Sequence, residues 1–202
     1  MKPKDAILKI INSLSNPANI RTGSARRMIS LESQAGPVCL LLHEGTVAVY
    51  REQGHLLMRY AQAPMVFGMN ELFDANEGWF YQASGAIRYE LIPVATVIEK
   101  IDQFALWKEA SYVYMYAIKR LVEAHNTSAG LSTYDLIRLN LFALMDEKEE
   151  LRLSVNASDY ILEKTGLSRS RIMKIISDLR TGEHIVIQRG ILIAINKLPQ
   201  NY

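Results

Sequence analysis

The chain has 202 residues, which is enough for one large domain or two small ones. Hydrophobic residues make up 49% and charged residues 22%, so the composition excludes a disordered or low-complexity protein. The net charge of +2 gives the chain as a whole no signature of nucleic-acid binding, and any basic surface must be local. The single cysteine, Cys39, excludes an internal disulfide and an all-cysteine metal site.

Neither a signal peptide nor a membrane span is predicted. Residues 1–19 carry charged and polar side chains throughout. No apolar run in the chain reaches the ~20 residues that would span a bilayer. We therefore expect a cytoplasmic protein in which Cys39, within the apolar run VCLLL, is a buried structural thiol. The alternative for Cys39 is a redox switch.

The first half of the chain predicts a helix followed by a β-rich domain. Apolar residues of 5–14 share one helical face, and Asn16-Pro17 ends that helix. From about Met28 to Pro93, short β-type runs alternate with turn residues, which favours a small barrel or jelly roll. Val47 and Val49 alternate with their neighbours as in a half-buried strand.

A short helix is predicted to begin at Pro93, and a long helix is predicted to follow it. Its apolar residues recur at alternating steps of three and four, which predicts a dimer seam. The seam comprises Phe104, Trp107, Ser111, Tyr114, Ile118, Leu121 and His125. A second apolar stripe consists of Ala105, Tyr112, Met115, Tyr116 and Val122. A helix with two apolar faces must bury both, so we expect one face to pack on the barrel and the other to meet a partner helix. The alternative is a helix that is buried within one domain.

The C-terminal segment predicts a winged helix-turn-helix. A hinge is expected at residues 127–130, followed by a helix that Ser132 or Thr133 caps. Asn156 or Ser158 caps the next helix, Gly166 permits the tight turn, and Ser168 caps the second helix of the motif, which runs to about Arg180. Two short β-type runs then form a hairpin around residues 188–190.

This segment also carries the basic charge that the whole-chain value hides. Residues 164–189 contain six basic and two acidic side chains, a local net of 6 − 2 = +4. We expect double-stranded DNA to be contacted through Ser168, Arg169, Ser170, Arg171, Lys174 and Arg189. The alternative is a protein–protein interaction module in which the β-rich domain binds another protein and the winged helix serves as a scaffold.

The stretch TGLSRSRIMKII resembles the recognition segment G-x-S-R-E-x-x-x-R of the cyclic-AMP receptor/fumarate–nitrate regulator (CRP/FNR) family. The resemblance implies an α+β fold with a cyclic-nucleotide-binding-like β jelly roll, a dimerisation helix and a winged helix. It divides the chain at 1–101, 102–130 and 131–202. It also implies that Arg169 reads guanine and that Lys174 contacts base or backbone. Ser170 departs from the glutamate of many members and is less selective.

The barrel departs further from that family. Members that bind cyclic nucleotides carry F-G-E, followed by an arginine that pairs with the phosphate. Here Met69 replaces the glutamate, Glu71 follows nearby, and Trp79, Phe80 and Tyr81 replace the later arginine stretch. A phosphate would lack its main partner, so we expect no cyclic-nucleotide binding. The five residues predict a degenerate pocket that is filled by its own side chains or takes an unidentified, apolar or aromatic effector.

No metal, cofactor or catalytic activity is predicted. One cysteine is too few for an iron–sulfur sensor, and His43 and His55 are interpreted as surface residues beside turns rather than as haem ligands. The chain lacks G-x-S-x-G, H-E-x-x-H and P-loop motifs. Within the CRP/FNR family, the sequence resembles a group of regulators named for inhibiting hydrogen peroxide resistance, which implies a dimeric transcription regulator of oxidative-stress genes.

Overall fold

The structure is a computed structural model that describes residues 1–34, 36–51, 55–69, 78–128 and 131–200, with only the backbone of residues 121 and 123–128. The chain forms two compact units. Unit 1 comprises residues 1–52 and 58–125, and unit 2 comprises residues 53–57 and 126–202. Within the described ranges, no helix is both long and apolar enough to cross a membrane.

Unit 1 begins with helix α1 (Lys4–Leu14), as its apolar spacing predicts. Ile7, Ile10 and Leu14 point into the core of unit 1 and are at most 1% exposed. A short 3₁₀ turn, Pro17–Asn19, follows, and the Asn16 side chain accepts a hydrogen bond at its start. The predicted break at Asn16-Pro17 is therefore confirmed.

The strands of residues 21–93, most of which lie in unit 1, form two sheets. The strands are β1 (Arg21–Gly23), β2 (Met28–Ile29), β3 (Glu32–Ser33), β4 (Gly36–Glu44), β5 (Thr46–Arg51), β6 (Leu56–Gln62), β7 (Met65–Phe67), β8 (Trp79–Ala83) and β9 (Ile87–Pro93). One sheet has the order β1-β9-β4-β3, with β7 also paired to β4. The other has the order β2-β8-β5-β6. The core of unit 1 lies on the inner faces of these sheets, as a jelly roll requires.

The central strand β4 is buried as expected, and β5 is buried more completely than expected. Cys39 on β4 is fully buried as a free thiol, which confirms its predicted burial. The prediction that β5 is half-buried is wrong, because residues 47–50 are all buried. The Tyr50 ring stacks on Phe80 at 4.9 Å between centroids and 6° between planes, and this stack covers the second face of the strand.

Two helices follow the sheets in unit 1. Helix α2 (Val94–Gln103) begins directly after Pro93, as predicted. Helix α3 (Trp107–Ser128) begins later than the seam pattern predicts, because Ala105 adopts a left-handed φ of +52° that ends α2. Phe104 and Ala105 therefore lie in the turn before α3 rather than on it, and the assignment of Phe104 to the helical seam is corrected.

The described part of unit 2 consists of helices and a hairpin. The helices are α4 (Thr133–Met145), α5 (Glu149–Arg152), α6 (Ala157–Thr165) and α7 (Arg169–Thr181), and the antiparallel hairpin joins β10 (Ile185–Gln188) to β11 (Ile191–Ile195). Ser132 caps α4 by accepting from the Asp135 amide at 3.1 Å. Ile137, Ile172 and Leu192 are fully buried, so three elements share one core. The predicted winged helix-turn-helix is confirmed. Of the predicted hinge, Thr127 and Ser128 belong to α3, and residues 129–130 lie outside the described residues.

Candidate DNA-binding surface

The turn between α6 and α7 has the geometry that the sequence predicts. Asn156 caps α6, and its side-chain oxygen accepts from the Ser158 amide at 2.9 Å. Gly166 ends the helix with a φ of +66°, and its amide donates to the Leu162 carbonyl at 2.9 Å. Glycine adopts this conformation at little cost, so α7 can start two residues later in a new direction.

Helix α7 has one buried and one exposed face. Ile172, Ile175, Ile176 and Leu179 form the buried face, as expected. Every other residue of the helix is exposed, which includes the predicted DNA contacts Arg169, Ser170, Arg171 and Lys174. Ser168 occupies the N-cap position, but its side chain makes no capping bond and instead lies 3.4 Å from the Ser170 hydroxyl. The structure thus brings these five residues together at the start of one exposed helix.

Arg169 has an acidic neighbour that sequence reasoning missed. Its Nη2 lies 2.8 Å from Oδ1 of Asp159 in the first turn of α6. That oxygen is shielded from solvent and accepts no hydrogen bond from the described residues, so the contact is an ion pair without hydrogen-bond geometry. The Arg169 side chain is still 61% exposed, which leaves its other nitrogens accessible. The two residues are ten positions apart and lie on either side of a turn. The spacing of three or four residues that reveals an ion pair within one helix therefore could not reveal this pair.

The turn of the wing hairpin forms a backbone hydrogen bond with the start of the helix-turn-helix. The Gly190 carbonyl accepts from the Ala157 amide at 2.8 Å, at the start of α6. A Cβ on Gly190 would lie only 2.1 Å from Nδ2 of Asn156, and Gly190 also has a φ of +86°. Arg189 precedes it with a φ of +50° and is exposed at the tip. The wing arginine therefore projects from a turn that is held against the capping residue of α6.

A second arginine, Arg152, stabilises the wing through hydrogen bonds to the backbone of β11. Nη1 of Arg152, on α5, donates to the carbonyls of Leu192 at 2.9 Å and Ile193 at 3.1 Å. Arg152 is therefore occupied in bracing β11, and we do not count it among the DNA-contacting residues. Sequence reasoning gave no role to Arg152, because a hydrogen bond across about forty residues leaves no local pattern.

The predicted barrel pocket in unit 1 is only partly assembled. Met69 and Tyr81 are buried in the core, and Trp79 packs against it. Phe80 does not join them, because alternation along β8 turns its ring to the opposite face, where it stacks on Tyr50. Glu71 lies outside the described residues.

One cation on the inner side of the barrel was not anticipated. Arg59 on β6 lies over the Phe67 ring, with Cζ 5.9 Å from the centroid. Burial lowers the pKa of Arg59, and the Tyr116 hydroxyl forms a hydrogen bond with it. The family pattern places the basic residue near residues 79–81, whereas Arg59 lies on β6. The signal was present, because Arg59 is two residues from the apolar Ala61 on a predicted strand.

Helix α3 turns a different set of apolar residues to the surface than the predicted seam contains. Trp107, Ser111 and Ile118 of that seam are exposed. Tyr114 instead packs against the core of unit 1, where its hydroxyl donates to the Met69 carbonyl and burial raises its pKa to about 12. The side chains of Leu121 and His125 lie outside the described residues.

The exposed residues of α3 nevertheless retain a heptad spacing. We call Ser111, Met115, Ile118 and Val122 the exposed stripe; their steps are four, three and four. Met115, Ile118 and Val122 are 51–59% exposed. The stripe thus shares Ser111 and Ile118 with the predicted seam and replaces Tyr114 by Met115.

The two histidines that were weighed as haem ligands differ in environment. His55 is exposed, as predicted. His43 is not a surface residue: its side chain is 14% exposed, and Nε2 lies 3.7 Å from Oε2 of the buried Glu90. Glu90 also accepts from the Ser15 hydroxyl at 2.8 Å and from the Asn16 amide, which explains the burial as the packing of the α1 corner on β9. Among the described residues, no group of three potential ligands could hold a metal ion.

Comparison with known proteins gives the family. A family profile described as winged helix-turn-helix DNA binding matches residues 133–200. The protein named inhibitor of hydrogen peroxide resistance in Escherichia coli K12 is 31% identical over 161 residues, which cover 79% of this chain and 77% of that protein. Its namesake in Salmonella typhimurium LT2 is 30% identical over 179 residues, which cover 88% of this chain and 86% of that protein.

Solved structures agree on the fold. The c-di-GMP-responsive global regulator CLP of Xanthomonas campestris superposes with a TM-score of 0.76 at 16% identity, covering 96% of this chain and 100% of that chain. A mutant of CooA from Carboxydothermus hydrogenoformans gives a TM-score of 0.65 at 14% identity, and the match covers 94% of this chain and 90% of that chain. A CRP/FNR-family transcriptional regulator from Thermus thermophilus gives a TM-score of 0.56 at 19% identity, and the match covers 87% of this chain and 93% of that chain. From the fold and the sequence matches together, the chain has the architecture of CRP/FNR regulators and belongs to the family of inhibitors of hydrogen peroxide resistance.

Proposed function

We propose that this protein is a DNA-binding transcription regulator of the CRP/FNR type that acts as a dimer without a cyclic nucleotide. The observation that carries the proposal is the exposed basic face at the start of α7. Arg169, Arg171 and Lys174 are all exposed there, on a helix whose other face is buried in unit 2. A helix of this kind enters the major groove with its first residues toward the bases.

Each basic residue has a distinct expected role. Arg169 offers a planar guanidinium to guanine O6 and N7, and Lys174 follows it by more than one helical turn toward base or phosphate. Ser168 and Ser170 supply hydroxyls at the same end of the helix, and Arg171 and the wing-tip Arg189 neutralise phosphates. The winged-helix profile match supports this assignment.

The exposed stripe of α3 is the proposed dimer contact. Three large apolar side chains on one helical surface, each more than half exposed, favour burial against a second copy of the helix. Two copies joined in this way would present two winged helices to half-sites about one DNA turn, ~34 Å, apart.

The barrel is proposed not to respond to cyclic nucleotides. Met69 replaces the expected glutamate, and neither Trp79 nor Tyr81 can pair with a phosphate as an arginine would. We expect isothermal titration calorimetry with cyclic AMP to show no binding. Micromolar binding would contradict this part of the proposal.

The biological setting is proposed from the relatives. Two of them carry the name inhibitor of hydrogen peroxide resistance, which supports a role in the oxidative-stress response. We also propose a cytoplasmic location, because a transcription regulator of a bacterium acts on genes there. No enzymatic activity is included in the proposal, because the family and the fold are those of regulators.

Salt dependence tests DNA binding against the alternative of a protein-interaction module. Fluorescence anisotropy with a labelled duplex at several salt concentrations gives the slope of log affinity against log salt, about −0.9 per phosphate neutralised. We expect a steep slope that becomes shallower by about one unit in Arg189→Ala, whereas the unit 1 variant Arg88→Ala keeps it. Absence of binding at low salt would favour the interaction module.

A further inference from the structure

One strand of the wing hairpin contains an extra residue. Val186 on β10 pairs with Ala194 on β11, and the next residue, Ile187, pairs with Leu192, so Ile193 is the extra residue of β11. This irregularity is a β-bulge, which bends its strand and increases the local twist. Only two residue pairs separate the bulge from the end of the turn, so the conformation of the bulge affects the direction of the turn.

Arg152 on helix α5 holds the bulge from outside the hairpin. Its Nη1 donates to the carbonyl of Leu192 at 2.9 Å and to that of Ile193 at 3.1 Å, so one nitrogen bridges two adjacent residues at the bulge. The Arg152 side chain is only 14% exposed, and its Nη2 lies 3.8 Å from Oε1 of Glu149 on the same helix. The neighbouring Leu151 is buried, which anchors α5 in unit 2. Because hydrogen bonds from a charged donor are stronger than those between neutral groups, Arg152 stabilises the bend of β11.

The turn of the hairpin is restrained at a second point. Arg189 and Gly190 form a two-residue turn, and both have positive φ values, +50° and +86°. A left-handed conformation is unfavourable for an arginine and persists where surrounding contacts hold it. The Gly190 carbonyl accepts from the Ala157 amide at 2.8 Å. That amide lies in the first turn of α6, where a helix offers no acceptor of its own, so the wing turn and the helix start satisfy each other.

We propose that Arg152 is a positioning residue of the wing, which holds the bulge of β11 so that Arg189 points toward the DNA backbone. Release of the bulge would let the wing turn move away from Ala157 and would separate Arg189 from the phosphate that it neutralises. The inference rests on the proposed function, because it assigns Arg152 a share in DNA binding through Arg189. A phosphate contact carries no sequence information, so the effect should be the same for every duplex.

Hydrogen exchange followed by nuclear magnetic resonance tests the positioning step without DNA. The wing turn protects the Ala157 amide, so the exchange rate of this amide in the full chain reports whether the turn stays in place. We expect Arg152→Met to accelerate it about tenfold, because the charged hydrogen bonds at the bulge are lost. The amide of Ile176, on the buried face of α7, should be accelerated much less. An unchanged rate at Ala157, or equal acceleration of both amides, would overturn the proposal.

Duplex binding tests the consequence for DNA recognition. Fluorescence anisotropy over a salt series should show that Arg152→Met weakens binding to a preferred and a scrambled duplex by the same factor, roughly three- to tenfold. The salt slope should become shallower by about one unit, as it does in Arg189→Ala. Arg88→Met removes an exposed arginine of unit 1 and should leave both quantities unchanged. A lower thermal stability with an unchanged salt slope would make Arg152 a structural residue only and would contradict the proposal.

A double-variant cycle separates positioning from direct contact. In the Arg189→Ala background, Arg152→Met should cause no further change in the salt slope, because the contact that it positions is already lost. A further decrease there would mean that Arg152 acts on DNA by itself, which would also overturn the inference. Should Arg152→Met fail to fold, Arg152→Lys replaces it in each measurement, because lysine keeps the charge but loses the guanidinium fork. Its effects should have the same signs and smaller sizes, and the absence of any effect would contradict the proposal.

The two measurements distinguish failure of this inference from failure of the proposed function. If the unchanged protein binds no duplex at low salt, the proposed function is contradicted, and the exchange of the Ala157 amide still decides whether Arg152 holds the wing turn. If the unchanged protein binds DNA with a steep salt slope and Arg152→Met has the same slope, only the positioning role is contradicted.

Discussion

At the scale of single residues, the pairing of Arg169 with Asp159 bears most directly on the proposed DNA contacts. The two side chains are 61% and 46% exposed, so solvent screening limits the contribution of the pair to stability to less than about 1 kcal/mol. The contact occupies only Nη2 at 2.8 Å, and the remaining donors of Arg169 stay available. The pair can therefore give way to a base without a large cost in the stability of the fold.

Substitution of Arg169 should reduce sequence preference more than general DNA affinity. We expect Arg169→Ala to lose about 1–3 kcal/mol on a preferred duplex and little on a scrambled one, because a bidentate contact to guanine is lost. Competition assays with both duplexes measure the difference. An unchanged affinity for the preferred duplex would show that Arg169 is not a base-reading residue, and Arg88→Ala in unit 1 serves as the matched control.

Removal of the Asp159 charge should have the opposite effect. Asp159→Asn deletes an anion beside the proposed phosphate-binding surface, so affinity should rise roughly two- to tenfold for every duplex. The gain should shrink as salt is raised, because the repulsion is screened. A selective loss on the preferred duplex would instead mean that the carboxylate positions Arg169 for guanine.

At the scale of elements, helix α3 shows why periodicity predicts a helix better than it predicts which face is covered. Alternating steps of three and four are satisfied both by the predicted seam and by the exposed stripe. The structure distinguishes them through tertiary contacts: Tyr114 reaches the Met69 carbonyl, which turns Met115 outward. Neither the hydrogen bond nor the left-handed Ala105 that delays the helix leaves a trace in the spacing of apolar residues.

The exposed stripe can be tested by placing a charge in it. Ile118 is 59% exposed, so Ile118→Glu should leave the fold intact and shift a dimer toward monomer, because burial of an unpaired carboxylate is costly. Sedimentation or light scattering measures the mass. Leu8→Glu, at a residue of α1 that is 42% exposed, is the control and should stay dimeric.

A dimer that persists in Ile118→Glu would contradict the stripe as the interface. Tyr114→Glu is not an equivalent test, although Tyr114 belongs to the predicted seam. Its side chain packs against the core of unit 1, so the substitution should lower the stability of the unit as well as changing any interface.

The winged helix was predicted more fully because its signals are local. Asn156, Gly166 and the apolar face of α7 determine caps, turn and packing within a few residues of one another. The contact of Gly190 with Asn156 was not predicted, since it joins a hairpin turn to a helix cap more than thirty residues earlier. The order of elements could thus be predicted, and the long-range contacts that fix the wing could not.

At the scale of the whole molecule, the difference between local signals and long-range contacts also determines how much of each unit could be predicted. Unit 2 could be predicted in outline from the sequence, and so could the presence of a β-rich unit 1. The pairing order β2-β8-β5-β6 could not, because strand partners are chosen by contacts between distant segments. That order puts Tyr81 on β8 and Arg59 on β6 in the same sheet, which explains why the inner cation was missed.

The central claim is that two copies of α7 read a two-fold symmetric DNA site. Selection of bound sequences from a random duplex pool, with purified protein and no added ligand, tests it most directly. We predict enrichment of an inverted repeat whose half-site centres are about 10–10.5 base pairs apart, and loss of that enrichment in Arg169→Ala. No binding at low salt, or an enriched site that is unchanged in Arg169→Ala, would contradict it.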